Sequence, residues 1–252
     1  MKIRKLATVL GVALYERDGR DLVLTPAGHA VAGFARRLDD EVGEFVASLL
    51  DPVAIAPLVL AAGAGAHLYV LPQAERRLLA REQGLRLLTL DRDRTIDAVR
   101  AREADVGVAV IGSTPRGLAS VPIATYPQVL VLPAGHPLAR RRSLHLSDLE
   151  DAALVVPPPD RPHRRTLESA LRRAKVRWHV AIEADGWAPM LHFVSIGAGL
   201  AVVNGCVAPP EGLVARPVDD LPSVTYAALL RPERRHDPRV ETVLDVIRTS
   251  AP

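Results

Sequence analysis

Val59-Leu60-Ala61-Ala62-Gly63-Ala64-Gly65-Ala66-His67 lies inside a run, residues 52–74, that carries no charge over 23 positions. That length matches a bilayer, but Pro52, Pro57, Pro72, Gly63, Gly65, His67 and Gln73 interrupt it. A buried strand at 59–61, a glycine turn and a helix start fit the run better, and no membrane is expected. Further strands read at 85–90, 106–111, 129–132, 154–156, 180–182 and 200–203, with helices near 67–82, 95–103, 164–174 and 187–197. A crossing over about 213–222, a strand at 225–230 and a helix over 238–249 close the chain. The alternation predicts an α/β chain with a mainly parallel, helix-covered sheet. Two such lobes joined by crossing strands leave a cleft between them.

The bulk properties agree. The 252 residues are 48% apolar and 24% charged with net charge +3, ordinary for a globular chain, which excludes wholesale disorder and a disulfide scaffold. Cys206 has no partner for a bridge, and no Cys/His cluster has zinc-ligand spacing, so no metal is expected. The start of the chain has no continuous apolar core followed by a cleavage site, and the chain reads as cytoplasmic. Basic residues are 29 Arg and 3 Lys, a compositional habit that gives no single arginine special weight.

The first fifty residues differ in kind. Ile3, Leu6 and Leu10 fall on one helical face and Gly11 follows them, predicting a helix over 2–10. Leu14-Tyr15-Glu16 and Leu22-Val23-Leu24 flank an Asp18-Gly19 turn, a short hairpin. Thr25 and Pro26 then cap and open a long helix in which Val31, Ala35, Leu38, Val42, Phe45 and Leu49 recur at alternating steps of four and three. Both a helix packed on its own domain and a dimerising helix fit that seam.

Several motifs arrive in order. Ile3-Arg4-Lys5-Leu6, Leu10-Gly11-Val12, Leu14-Tyr15-Glu16-Arg17, Gly19-Arg20 and Leu24-Thr25-Pro26-Ala27-Gly28 resemble the second half of the winged helix-turn-helix of LysR-type transcriptional regulators. Downstream, Ala104-Asp105-Val106-Gly107-Val108-Ala109, Pro133-Ala134-Gly135-His136-Pro137-Leu138-Ala139, Ser147-Asp148-Leu149 and Val194-Ser195-Ile196-Gly197-Ala198-Gly199-Leu200-Ala201 resemble signatures of the same family. Ala7, where the family usually has Glu, and Asn204, where proline is common, depart from it.

The resemblance implies a fold of two Rossmann-like lobes as in periplasmic binding proteins of type 2, preceded by a partial winged helix and a linker helix. Residues 1–24 then form the recognition-helix remnant and wing, and 25–51 the linker through which such regulators dimerise. The effector domain is 52–252, with lobe I at about 53–126 and 223–252 and lobe II at about 127–222. By the order of these motifs, the family's helices that pack behind the recognition helix would precede residue 1, so the DNA reader is expected to be cut short. Expected partners are operator DNA for a full-length form, a small effector with carboxylates among the candidates, further copies of the chain in a homodimer or homotetramer, and RNA polymerase.

Candidate site residues follow. Lys2, Arg4, Lys5, Arg17 and Arg20 are candidates for phosphate contacts. Sheet folds bind ligands beyond the carboxyl ends of strands, which nominates Gly65, Ala66 and His67, then Arg94 and Thr95, then Asp160, Arg161 and Trp187. In the first loop, backbone amides would meet a carboxylate, with His67 or Arg94 as counter-charge.

Enzyme chemistries lack their parts. The chain has no Gly-x-Ser-x-Gly elbow, no phosphate loop and no His-Glu-x-x-His. Gly63-Ala64-Gly65 with Asp91 hints at a dinucleotide fingerprint, but the third glycine falls on Leu68. No catalytic residue and no cofactor is assigned. The leading reading is a DNA-binding, effector-sensing regulator; the alternative is an effector-binding, oligomerising protein without specific DNA binding that acts through mixed oligomers.

Overall fold

The computed structural model describes residues 2–18, 21–50, 57–80 and 84–250. The chain divides into two compact units, one through Pro57 and the other from Leu58 onward, apart from Ala101–Glu103.

In the first unit, α1 (Lys2–Leu10) ends at Gly11, whose φ of 68° is the left-handed terminus predicted for it. The strands β1 (Tyr15–Asp18) and β2 (Asp21–Leu24) pair antiparallel. Next comes α2 (Pro26–Leu50). Thr25 fastens hairpin to helix: its hydroxyl donates to Ala13 O at 2.7 Å and accepts from Gly28 N at 3.0 Å, an N-cap. Gly28 has no freedom to be anything larger, since a Cβ there would lie 1.9 Å from the Leu14 carbonyl oxygen.

The second unit alternates strand and helix: β3 (Leu58–Ala62), α3 (Ala64–Tyr69), α4 (Pro72–Leu79), β4 (Leu85–Thr89), α5 (Arg92–Arg100), β5 (Val106–Val110) and β6 (Ala119–Tyr126). After these come β7 (Gln128–Pro133), β8 (Ala152–Val156), α6 (Pro162–Arg173), β9 (Trp178–Glu183), α7 (Trp187–Ser195), β10 (Ala201–Asn204), β11 (Leu213–Pro217), β12 (Val224–Leu230) and α8 (Pro238–Ser250).

Lobe I is a five-stranded sheet ordered β4-β3-β5-β12-β6. The pairs β3/β4 and β3/β5 are parallel, while β12 is antiparallel to both β5 and β6. Strands β3 to β6 therefore run one way and β12 the other. Lobe II repeats the rule: β10 and β11 flank β7 antiparallel, β8 pairs with β9 in parallel, and a parallel bridge from Leu154 to Leu200 joins the two pieces. In each lobe the reversed strand is the one that has crossed from the other. The mainly parallel expectation holds for strand direction, with one reversed strand added in each lobe.

Three expectations change. The helix read at 67–82 is two helices, because Pro72 cannot donate into a continuing helix and restarts one as its first residue. The crossing read at 213–222 contains β11, a strand of the lobe II sheet. Strand β6 was not expected at all; Pro122 sits in it, tolerated because β6 is an edge strand with a register shift at that point.

Both faces of each sheet are covered. In lobe I, Leu60, Val106, Val108 and Leu230 pack under α4 and α8 through Leu71, Leu78, Val243 and Ile247, and α5 seals the other face with Ile96 and Val99. In lobe II, Leu132, Leu154 and Val202 meet α6 through Leu167 and Leu171, while Val131 and Val203 meet α7 through Met190 and Val194. Gly197, at φ 81°, ends α7 before the chain turns into β10.

Candidate functional site

The carboxyl ends of β3, β4 and β5 in lobe I face the starts of α6 and α7 in lobe II, and the space between is a cavity of about 370 Å³. Lobe I contributes Gly63, Gly65, Ala66, Arg92, Val108, Val110 and Tyr226; lobe II contributes His163, Thr166, Trp187 and Asn204; Gln128 stands where the chain crosses. A second, more open part of the cleft is bordered by Asp91, Arg161 and Asp185.

Gly65 of lobe I lies against Trp187 of lobe II. A Cβ on Gly65 would lie 2.5 Å from Trp187 Cδ1, so the indole of lobe II occupies the space that a side chain would take in lobe I. The other edge of the cleft is ionic. Arg161 pairs with Asp185 in its own lobe and lies 3.8 Å from Asp91 of lobe I. Hydrogen bonding to Asp185 holds its guanidinium above the ordinary arginine value. Arg92 donates through Nε to Val110 O at 3.0 Å and through Nη1 to Asp93 at 2.7 Å.

The inner end is polar but uncharged. His163 donates Nε2–H to Val202 O at 2.8 Å and meets Trp187 edge to face at 4.7 Å; burial pushes its imidazole down to about 4, so it is neutral near pH 7. Gln128 donates to Pro222 O at 2.9 Å, and Asn204 donates to the Tyr226 hydroxyl at 3.0 Å. Burial raises the Tyr226 phenol well above its ordinary value and also raises the neighbouring Cys206 thiol.

The sequence-nominated effector residues separate. Gly65, Ala66 and Trp187 line the cavity and Arg161 borders its outer part. His67, one residue beyond Ala66, turns away: its Nδ1 lies 2.5 Å from Glu75 and its Nε2 3.3 Å from Leu88 O. Burial lowers the His67 pKa, but these hydrogen bonds outweigh it and the net shift is upward. Thr95 is fully buried, its methyl close to Gly107 and its hydroxyl 3.3 Å from Leu90 O. Arg94 and Asp160 are exposed and border neither part of the cleft. Sequence reasoning missed Arg92, Gln128, His163, Thr166 and Tyr226. Asn204 drew notice only as a departure from a family pattern. His163 carried a readable signal, the first turn of a helix that follows a strand, and Thr166 lies one turn further along the same helix.

In the first unit, Arg4, Lys5 and Arg17 are exposed, and α1 has no acidic residue in its first turn. Arg20 and the side chain of Lys2 lie outside the described residues. On α2, Leu38 and Val42 are exposed, as is Ala35, and Val31 is half-buried; the side chains of Phe45 and Leu49 lie outside the described residues. Among the described residues no group of His, Cys, Asp or Glu is placed to hold a metal, and no helix is long and apolar enough to cross a membrane.

The family model for the LysR substrate binding domain matches residues 56–252. The chain belongs to the LysR family. Among curated relatives of this LysR chain, a probable hydrogen peroxide-inducible genes activator of Mycobacterium avium is 28% identical over 219 residues, covering 82% of this chain and 68% of the relative. The transcriptional dual regulator GltC of Bacillus subtilis is 26% identical, covering 80% and 69%. Among solved structures, full-length OxyR from Pseudomonas aeruginosa aligns with a TM-score of 0.73 at 21% identity, over 98% of this chain and 84% of that one. Full-length CbnR in complex with its target DNA aligns with a TM-score of 0.68 at 21% identity, over 99% and 88%. The two-lobed, periplasmic-binding-protein-like architecture of this LysR chain is the one these structures share.

Proposed function

We propose that this chain is a transcriptional regulator that binds DNA through a winged helix-turn-helix, dimerises through α2 and senses a small molecule held between its two lobes. The observation that carries the reading is the cavity lined from both lobes, across which Trp187 rests against the bare backbone of Gly65. A ligand in that space touches both lobes at once and stabilises one lobe arrangement over others. By linkage it changes the affinity of any partner that also distinguishes those arrangements.

The basic residues of α1 and the wing support a phosphate-contacting role, and the DNA-bound relative supports the same assignment by family. RNA polymerase is a further partner of this reading. The test is selection of bound sequences from random duplex DNA, using the chain extended by the helices that precede α1 in the family pattern, followed by gel-shift titration. The expected result is an operator with paired half-sites, bound far more tightly than scrambled DNA at the same salt. Equal affinity for all sequences overturns it and favours the oligomerising protein without specific DNA binding.

A further inference from the structure

Building on the sensor reading above, we propose that the cavity between the lobes receives a small uncharged ring bearing N–H donors, of the carboxamide or lactam class, and discriminates against the carboxylate of the same shape. Two buried acceptors at the cavity, on Gln128 and Asn204, have no donor, and His163 and Thr166 on its wall are free to accept as well. Gln128 is 1% exposed, and its nitrogen donates to Pro222 O at 2.9 Å. Turning that amide over would set two oxygens against each other, so the buried Oε1, which has no partner, is an acceptor. Asn204, 5% exposed, uses one end of its amide on the Tyr226 hydroxyl and, with the nitrogen there, leaves Oδ1 buried without a partner. His163 is neutral with its Nε2–H engaged at Val202, so its other ring nitrogen is an acceptor too. Thr166 has given its hydroxyl proton to Pro162 O at 3.0 Å and offers only lone pairs. All four side chains line the same cavity.

An occupant that displaces water from these acceptors loses affinity unless it brings N–H or O–H groups of its own. A carboxylate brings only more acceptors. It would also need a cation, and both arginines at the cleft already face carboxylates: Arg161 meets Asp185 and Asp91, and Arg92 meets Asp93. An ammonium ligand would lose its hydration against neutral groups alone. The walls are Trp187, Val108 and Val110, which suit a compact apolar body, and the volume is that of a small ligand site.

The experiment titrates the whole chain with two matched pairs, benzamide against benzoate and nicotinamide against nicotinate, by calorimetry and by tryptophan fluorescence. A Trp178→Phe background leaves Trp187 as the reporter. Each amide should bind at least about tenfold more tightly than its carboxylate. Gln128→Met should weaken benzamide about tenfold. The exposed Thr166→Val keeps the shape of the site and should weaken benzamide about threefold with an unchanged melting temperature. Carboxylates binding as well as or better than the amides overturn the ligand class and leave the sensor reading standing. Absence of binding by all four probes at about 10 mM also overturns the proposal, while the DNA selection decides the regulator reading independently.

Discussion

His163 and His67 are half-buried histidines with opposite charge preferences, and each writes a slope into the stability of the second unit. Burial holds the His163 pKa at about 4 in the folded chain against an ordinary 6.5. Between those values the unfolded chain binds more protons, so stability falls as pH drops from about 6.5 toward about 4. His67 is shifted upward, so its contribution is complete below about 6.5 and is lost as pH rises through its raised pKa. Thermal melts between pH 4.5 and 8 should show His163→Gln flattening the acid side and His67→Gln flattening the alkaline side. Thr25 acts where two elements meet: Thr25→Ala removes the cap to Gly28 and the bond to Ala13, and should cost about 1 kcal/mol in denaturant unfolding, with faster amide exchange at the start of α2. Gly65→Ala places a methyl within 2.5 Å of the indole of Trp187, and the expected result is a displaced ring, read as a shift in its emission.

Elements show where pattern suffices and where it fails. The helix α2 announced itself through Thr25-Pro26 and a spaced apolar seam, because cap chemistry and periodicity are local properties. Its seam leaves Leu38 at 49% and Val42 at 53% exposed, large apolar side chains in water along one helix. Leu38→Glu should therefore convert dimers to monomers in sedimentation velocity, and an unchanged mass would refute a dimer built on this seam. Strand β6 was not legible: Pro122 and the polar Ser120, Thr125 and Tyr126 break the alternation, and only the neighbour β12, about a hundred residues later, makes it a strand. Helices α3 and α4 read as one because the apolar spacing runs through Pro72, where the backbone does not.

At the scale of the whole molecule, each lobe needs a strand delivered by the other. Strand β12 lies between β5 and β6, so removing residues 223–252 takes away the partner of β6 and, with α8, the cover of one face of lobe I. That truncation should leave lobe I unfolded by circular dichroism and amide exchange, and calorimetry of the full chain should show both lobes melting together. By itself the sequence determined most elements of both units, the two-lobed class and the loops that meet at the cleft, since these follow from capping, periodicity and strand-end geometry. Only the tertiary structure decided which side chains of those loops enter the cleft. His67 and Ala66 are neighbours in the chain, but Glu75 and Leu88 draw the imidazole into lobe I while Ala66 faces the cavity. Gln128, His163 and Asn204 meet there from three distant segments, each oriented by a backbone carbonyl or hydroxyl that no local pattern announces.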